Sequence, residues 1–248
     1  MTAVQINTST VQVKNGNLEI DCYLAAPQTE GKYPGIIVLQ EIFGVNSHIK
    51  DVTERIAKLG YIAIAPALYQ RTIPGFETGY TEKDIEIGRK YKELTTATEL
   101  ISDIQATIEY LKQLPQIKPK FGCIGFCFGG HVAYLAATLS DITATASFYG
   151  AAIATTTPGG GQPTLTRTSQ IKGTIYTLFA TEDPLISLDE VEQIEAELKK
   201  HQIKHRVFRY EGADHGFFCD QRSNYHQQAA EDAWENVKLL FQQELKDI

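Results

Sequence analysis

Apolar residues along this chain fall into two patterns that alternate: short continuous runs, and longer stretches with helical spacing. Gly35-Ile36-Ile37-Val38-Leu39 and Tyr61-Ile62-Ala63-Ile64-Ala65 have no polar alternation, as expected of strands buried on both faces, and Pro66 stops the second. Between them Ile49, Val52, Ile56 and Leu59 recur at helical intervals, with Ser47 or Asn46 placed to cap the start and Gly60 the end. Ile101, Ile104, Ile108 and Leu111 mark another helix, closed by Pro115. Phe121-Gly122-Cys123-Ile124 is again a short buried run, followed by the helix-compatible His131-Val132-Ala133-Tyr134-Leu135-Ala136-Ala137. Further strands are expected over 144–149, 174–180 and 206–210. A helix carrying Val191, Ile194 and Leu198 separates the last two. An amphipathic helix from about Tyr225, with Ala230, Ala233, Val237, Leu240 and Phe241 inward, ends the pattern.

Residues 10–25 differ. Asn15-Gly16 between β-compatible segments predicts an opening antiparallel hairpin. Buried strands joined by helical crossovers predict an α/β fold: one mainly parallel sheet covered by helices on both faces, with residues 1–248 as a single domain. Ligands of such sheets bind at the carboxyl ends of the strands. Residues 155–170, which include Thr155-Thr156-Thr157-Pro158-Gly159-Gly160-Gly161, have too little apolar content to pack. They read as a mobile loop bordering the cleft, either a surface insertion or a lid.

Composition narrows the choice of partners. With 248 residues and 43% hydrophobic content the chain can bury a full core, and a net charge of −7 argues against nucleic acid or an anionic membrane as partner. No apolar stretch approaches bilayer length, and the first residues have neither a basic start nor an apolar run, so a cytoplasmic protein is expected. Four cysteines at irregular spacing, Cys22, Cys123, Cys127 and Cys219, do not make a disulfide framework and suit a reducing compartment.

The chemistry centres on Gly125-Phe126-Cys127-Phe128-Gly129. A glycine-flanked nucleophilic residue between strand and helix is the pattern of a nucleophile elbow, here with cysteine at the centre. A thiol at its ordinary pKa is only a few per cent thiolate at neutral pH, so it needs a base. His215, in Gly212-Ala213-Asp214-His215-Gly216-Phe217 just past the last strand, is the natural one. His201, His205 and His226 lie in polar or surface segments, His48 in a helix's first turn, and His131 in a packing position behind the elbow. Asp183, in Phe179-Ala180-Thr181-Glu182-Asp183-Pro184, follows a strand directly and is the expected orienting acid. Glu182 would serve chemically but is less well held, and Asp214 adjoins His215 too closely to reach its ring. Oxyanion stabilisation is expected from the N–H groups of Phe128 and Ile42. Glu41, in the loop after the first parallel strand, either hinders or accepts the thiol proton, or else caps nearby N–H groups.

The Leu39-Gln40-Glu41-Ile42-Phe43-Gly44 loop, the Cys127 elbow, Glu182-Asp183 and Asp214-His215-Gly216-Phe217 together resemble the dienelactone hydrolase family (carboxymethylenebutenolidase-like), of the α/β-hydrolase superfamily. The similarity runs from the opening hairpin to the last helix. It implies a cofactor-free, metal-free hydrolase that opens a lactone or carboxylic ester through an acyl-cysteine intermediate. Cys127 would be the nucleophile, Asp183 the acid, His215 the base and Glu41 a switch for the thiolate.

The family's dienelactone-active members bind the substrate carboxylate with arginines, one of them four residues after the catalytic histidine. Here that position is Cys219, and the candidates become Arg71, Arg89 and Arg222, with apolar walls from Phe126, Phe128, Phe217 and Phe218 and polar tips from Tyr80 and Tyr91. A broad carboxylesterase or thioesterase acting on uncharged acyl compounds is therefore an alternative. A non-catalytic thiol sensor or binding protein on the same scaffold is another. A metal site from Cys123, Cys127, His215 and Cys219 is not expected, because a pair split between strand and elbow does not converge on one ion.

Overall fold

The computed structural model describes residues 4–246. Among these, eight strands form one sheet: β1 (Ile6–Asn15), β2 (Leu18–Pro27), β3 (Tyr33–Leu39), β4 (Ile62–Pro66), β5 (Ile117–Phe126), β6 (Ile142–Phe148), β7 (Thr174–Ala180) and β8 (His205–Tyr210), in the order β1-β2-β4-β3-β5-β6-β7-β8. The expected hairpin is present. Asn15 pairs with Leu18 across a two-residue turn in which Gly16 takes φ +61°, a conformation that costs glycine little. β2 joins β4 antiparallel, and every pairing from β4 to β8 is parallel.

Strand alternation divides the core. Ile36 and Val38 of β3, Ala63 and Ala65 of β4, and Ile124 and Phe126 of β5 pack with Ile49, Val52 and Ile56 of α1 (Ser47–Lys58) and with Val237, Leu240 and Phe241 of α6 (Gln227–Leu245). Ile37, Leu39, Ile62, Ile64, Phe121 and Cys123 point the other way. They meet Leu100, Ile104 and Ile108 of α3 (Ala97–Lys112) and Val132 and Ala133 of α4 (Phe128–Ala136). Because both faces are covered, the strands read as unbroken apolar runs. The result is the α/β-hydrolase arrangement. None of the described helices is long and apolar enough to cross a membrane.

Local chemistry sets the boundaries. Asn46, not Ser47, caps α1, its side chain accepting from the Ile49 N–H at 3.3 Å. In α3 the inward stripe uses Leu100 where Ile101 was expected, and Ile101 is half-exposed. β5 starts at Ile117, earlier than its apolar run, because Tyr33 and Pro34 pair with Ile117 and Lys118. The helix α2 (Glu82–Glu93) is held by a capping box between Thr81 and Asp84 and buries only Gly88. α5 (Leu188–Lys200) carries the Val191, Ile194 and Leu198 stripe.

The 155–170 segment is not the unpacked loop its composition suggests. Residues 164–170 form a 3₁₀ turn in which Thr164 and Thr168 are buried, Thr164 against Nε2 of His131 at 2.7 Å and Thr168 against the Tyr134 hydroxyl at 2.7 Å. Threonine hydroxyls take the place of apolar anchors there.

Candidate active site

Cys127 stands between β5 and α4 with φ +55° and ψ −115°, a region that side chains rarely occupy. The surroundings enforce it. The Cys127 N–H donates to the Phe148 carbonyl at 3.0 Å, and the His131 N–H donates to the Cys127 carbonyl at 3.1 Å. A β-carbon on Gly125 would overlap the Gly129 carbonyl, and one on Gly129 would overlap the Leu39 carbonyl, so the elbow closes and α4 sits directly on the loop after β3. Cys127 is the only cysteine of the four that is not buried. Cys123 faces the opposite core, with Thr145 and the Ala133 carbonyl beside its sulfur, which removes it from any set with Cys127.

His215, in the turn after β8, directs Nδ1 to Oδ2 of Asp183 at 2.7 Å, and both side chains are almost entirely buried. The other Asp183 oxygen accepts from the Leu185 N–H at 2.8 Å, which fixes the carboxylate. Asp214 instead binds the backbone N–H of His215, so the two neighbouring carboxylates have separate tasks. Nε2 of His215 has no hydrogen-bond partner among the described residues and lines the cleft with Cys127. Burial works against charge on the ring, but Cys127 and Asp183 more than offset it, and its pKa is pushed up to about 10.

Phe128 begins α4, so its N–H is one of the four that a helix start leaves without an intrahelical acceptor. Ile42 lies in the loop on which α4 rests, and both residues line the cleft. α2 crosses that loop at its one buried residue: a β-carbon on Gly88 would come 2.5 Å from the Ile42 carbonyl oxygen.

Glu41 is buried, and its partner is Arg222, whose Nη1 donates to Oε1 at 3.0 Å; Oε2 has no hydrogen-bond partner among the described residues. Burial raises the Glu41 pKa, opposed by Arg222 and His215. The guanidinium also sits over the rings of Phe43 and Tyr80, at 5.6 and 5.8 Å, and occupies space that a side chain at residue 216 would need.

These residues open on a cleft of about 450 Å³, lined by Cys127, His215, Phe128 and Arg222 and also by Arg89, Lys92 and Glu93 of α2. Phe43, Ile85 and Leu185 supply apolar wall, and residues 156–160 close a side. That side is pinned twice. His131, on α4, bonds the Ala151 carbonyl through Nδ1 at 2.9 Å and Thr164 through Nε2 at 2.7 Å, and Thr164 bonds Thr157 at 3.0 Å. Glu190 of α5 accepts from the Ala154 N–H at 3.3 Å.

The structure brings Cys127, Asp183, His215, Glu41, Ile42, Phe128, Arg89 and Arg222 together and separates six other candidates. Arg71 turns away to a bidentate pair with Asp103 of α3, at 2.6 and 3.1 Å. Phe126 is fully buried against His48, Phe148 and Phe218, because the residue before the elbow faces α1 and α6. Phe217 packs among Tyr149, Phe148 and Tyr210, and Phe218 against Phe126, Phe148 and Trp234. Tyr80 is tied to Asn46 and Cys219, and Tyr91 packs on Phe76 and Tyr69, so neither lends a polar tip to the cleft. Lys92 and Leu185 were not anticipated. Lys92 was legible, since positions 85, 89, 92 and 93 share one helix face.

A family model described as the dienelactone hydrolase family matches residues 20–245. A Synechocystis sp. protein provisionally named a carboxymethylenebutenolidase is 57% identical over 244 residues, which is 98% of this chain and 99% of that protein. A Yersinia pestis protein with the same provisional name is 30% identical over 227 residues, 91% of this chain and 84% of its own length. The crystal structure of a Klebsiella pneumoniae protein provisionally named a dienelactone hydrolase superposes with a TM-score of 0.87 at 26% identity, covering 96% of this chain and 99% of that one. An acylaminoacyl peptidase from Pyrococcus horikoshii shares the fold alone, with a TM-score of 0.75 at 16% identity over 98% of this chain and 42% of its own. The elbow, the buried Asp–His pair and the acidic loop thus sit in a chain that belongs, over nearly its whole length, to the dienelactone hydrolase family, carboxymethylenebutenolidase-like hydrolases on the α/β-hydrolase fold.

Proposed function

We propose that this hydrolase opens lactones or carboxylic esters bearing an anionic group, with Cys127 as nucleophile. The observation that carries the reading is the accessible thiol on a strained elbow, sharing a cleft with a His215 ring that Asp183 holds from behind. Cys127 Sγ adds to the acyl carbon while its proton is held on Nε2 of His215, whose raised pKa favours the imidazolium. The resulting oxyanion is held by the N–H groups of Phe128 and Ile42, each worth about 3 kcal/mol of transition-state stabilisation. The carbon–oxygen bond to the enol or alcohol breaks, and His215 returns its proton to that oxygen. Water then attacks the acyl-cysteine with His215 as base, releasing the carboxylic acid and restoring the thiol. Glu41 would oppose negative charge on the thiolate, an effect that its ion pair with Arg222 reduces and that an anion competing for that arginine would strengthen.

Two exposed cations of α2, Arg89 and Lys92, support an anionic substrate, since a carboxylate leaving water needs a fixed partner. A neutral esterase would gain nothing from them. Turnover of a dienelactone and of p-nitrophenyl acetate, measured side by side, decides. We expect lactone turnover together with an acyl-enzyme adduct on Cys127 seen by mass spectrometry. Hydrolysis of the acetate with no lactone turnover would overturn the substrate assignment, and retained turnover in Cys127→Ala would overturn the nucleophile.

A further inference from the structure

Beside the Arg222–Glu41 ion pair, outside the residues that line the cleft, lies a group of buried side chains, of which the reaction uses Glu41 alone. A carboxylate oxygen of Glu41, a ring nitrogen of His48 and the Cys219 sulfur all lie within 4.8 Å of one another, and all three residues are buried. Two members are unsatisfied: neither His48 nitrogen nor Oε2 of Glu41 has a hydrogen-bond partner among the described residues. A buried polar group without a partner costs about 1–3 kcal/mol. Two such residues beside a buried thiol call for a shared occupant.

We propose that Glu41, His48 and Cys219 form a reversible, inhibitory binding site for a thiophilic divalent cation such as Zn²⁺. Carboxylate, imidazole and thiolate are the three side chains zinc uses, and three protein ligands leave a fourth position for water. Tetrahedral zinc bonds of about 2.0–2.3 Å hold ligand atoms about 3.5 Å apart, so the trio must contract by about an ångström, within reach of side-chain rotation. Burial, helped by Arg55 and Arg222, keeps the His48 ring neutral, the form that ligates. The ring stacks edge-on to Phe126 and Phe218, which fixes its plane.

Outer support is in place. The Tyr80 hydroxyl lies 3.4 Å from the Cys219 sulfur and accepts from Asn46 at 3.1 Å, so its own proton is free for a thiolate. Binding replaces the Cys219 thiol proton, which passes to buffer, while Oε1 of Glu41 stays on Arg222. The guanidiniums of Arg222 and Arg55 repel the ion and weaken it relative to a structural zinc. Zinc is therefore a ligand that comes and goes past Arg222.

Inhibition rests on the role given to Glu41 above, because an ion on Oε2 removes that carboxylate from exchange with the cleft; binding itself does not rest on it. The two are tested separately. Zn²⁺ titrated into the full-length Cys127→Ala protein, followed by calorimetry, is expected to bind at one equivalent per chain. His48→Leu and Cys219→Ala in that background should each weaken it at least about 100-fold, and Tyr80→Phe about 10-fold. Co²⁺ in place of zinc should give a thiolate charge-transfer absorption that Cys219→Ala abolishes. With Cys127 restored, Zn²⁺ should suppress turnover in the wild type but not in Cys219→Ala, whose metal-free turnover should match the wild type. No stoichiometric binding to Cys127→Ala, or binding unchanged by both ligand substitutions, overturns the site. Stoichiometric binding that leaves turnover unaffected keeps the site and overturns its inhibitory role.

Discussion

Arg222 donates to Oε1 of Glu41 at 3.0 Å, an ion pair that is buried on the carboxylate side and opens to the cleft on the other. Its arginine does not stand at the position of Cys219. The guanidinium arrives from three residues further along, through the turn in which the Arg222 N–H donates to the Cys219 carbonyl. Removing only one partner is the costly change. Arg222→Gln should destabilise the protein by about 3–5 kcal/mol, by leaving a buried carboxylate unpaired. Adding Glu41→Gln should restore most of that loss. Denaturant unfolding of the two single variants and the double variant measures the coupling.

The raised His215 pKa makes a prediction for alkaline stability. A base whose folded pKa exceeds its unfolded value of about 6.5 stabilises fully below that value and progressively less as pH rises through its folded pKa, here about 10. Cys127 is the largest favourable cause. Melting temperature should thus fall between pH 7 and pH 10.5 more steeply in the wild type than in Cys127→Ala. Parallel curves for the two proteins would contradict the coupling.

The two neighbouring carboxylates separate by kinetics. Asp183→Asn should lower kcat by about 10⁴ with the fold intact, since the imidazole loses the partner that sets its tautomer. Asp214→Asn keeps a side-chain oxygen to accept from the His215 backbone N–H and should leave turnover close to wild type. Steady-state assays with circular dichroism distinguish lost chemistry from lost structure.

Arg89→Gln should raise KM about tenfold for a lactone carrying a carboxylate, the scale of one charge-assisted hydrogen bond, and leave p-nitrophenyl acetate kinetics unchanged. An equal effect on both substrates would assign Arg89 a structural role.

His131→Asn should loosen the wall at 156–160 by breaking the bonds to Thr164 and the Ala151 carbonyl. The expected signature is a raised KM with a smaller change in kcat, together with faster proteolytic cleavage within 156–163.

Cys127, Asp183 and His215 were legible because each follows an apolar strand and sits in a turn whose glycines or proline mark it locally. The same holds for the sheet, whose strands are near-continuous apolar runs. Side-chain direction was less accessible. Phe126 adjoins Cys127 in sequence yet belongs to the opposite core, and Arg71 is claimed by Asp103, which lies 32 residues later. α2 gave little periodic signal because its one buried residue is glycine, so Arg89 could be suspected but not placed and Lys92 beside it was missed. The 155–170 segment misled for a related reason: its anchors are threonine hydroxyls, which hydropathy counts as polar.

Gly88 draws two of these parts into one. The helix that carries Arg89 and Lys92 rests, through a residue with no side chain, on the carbonyl of Ile42, a cleft-lining residue whose own amide belongs to the preceding peptide. A shift of α2 toward a bound anion is therefore a shift of the surface supporting that residue, with no flexible side chain between them to absorb it. The helix that carries the two cations and the loop beside Cys127 share a single mechanical joint, and Gly88→Ala would wedge it open.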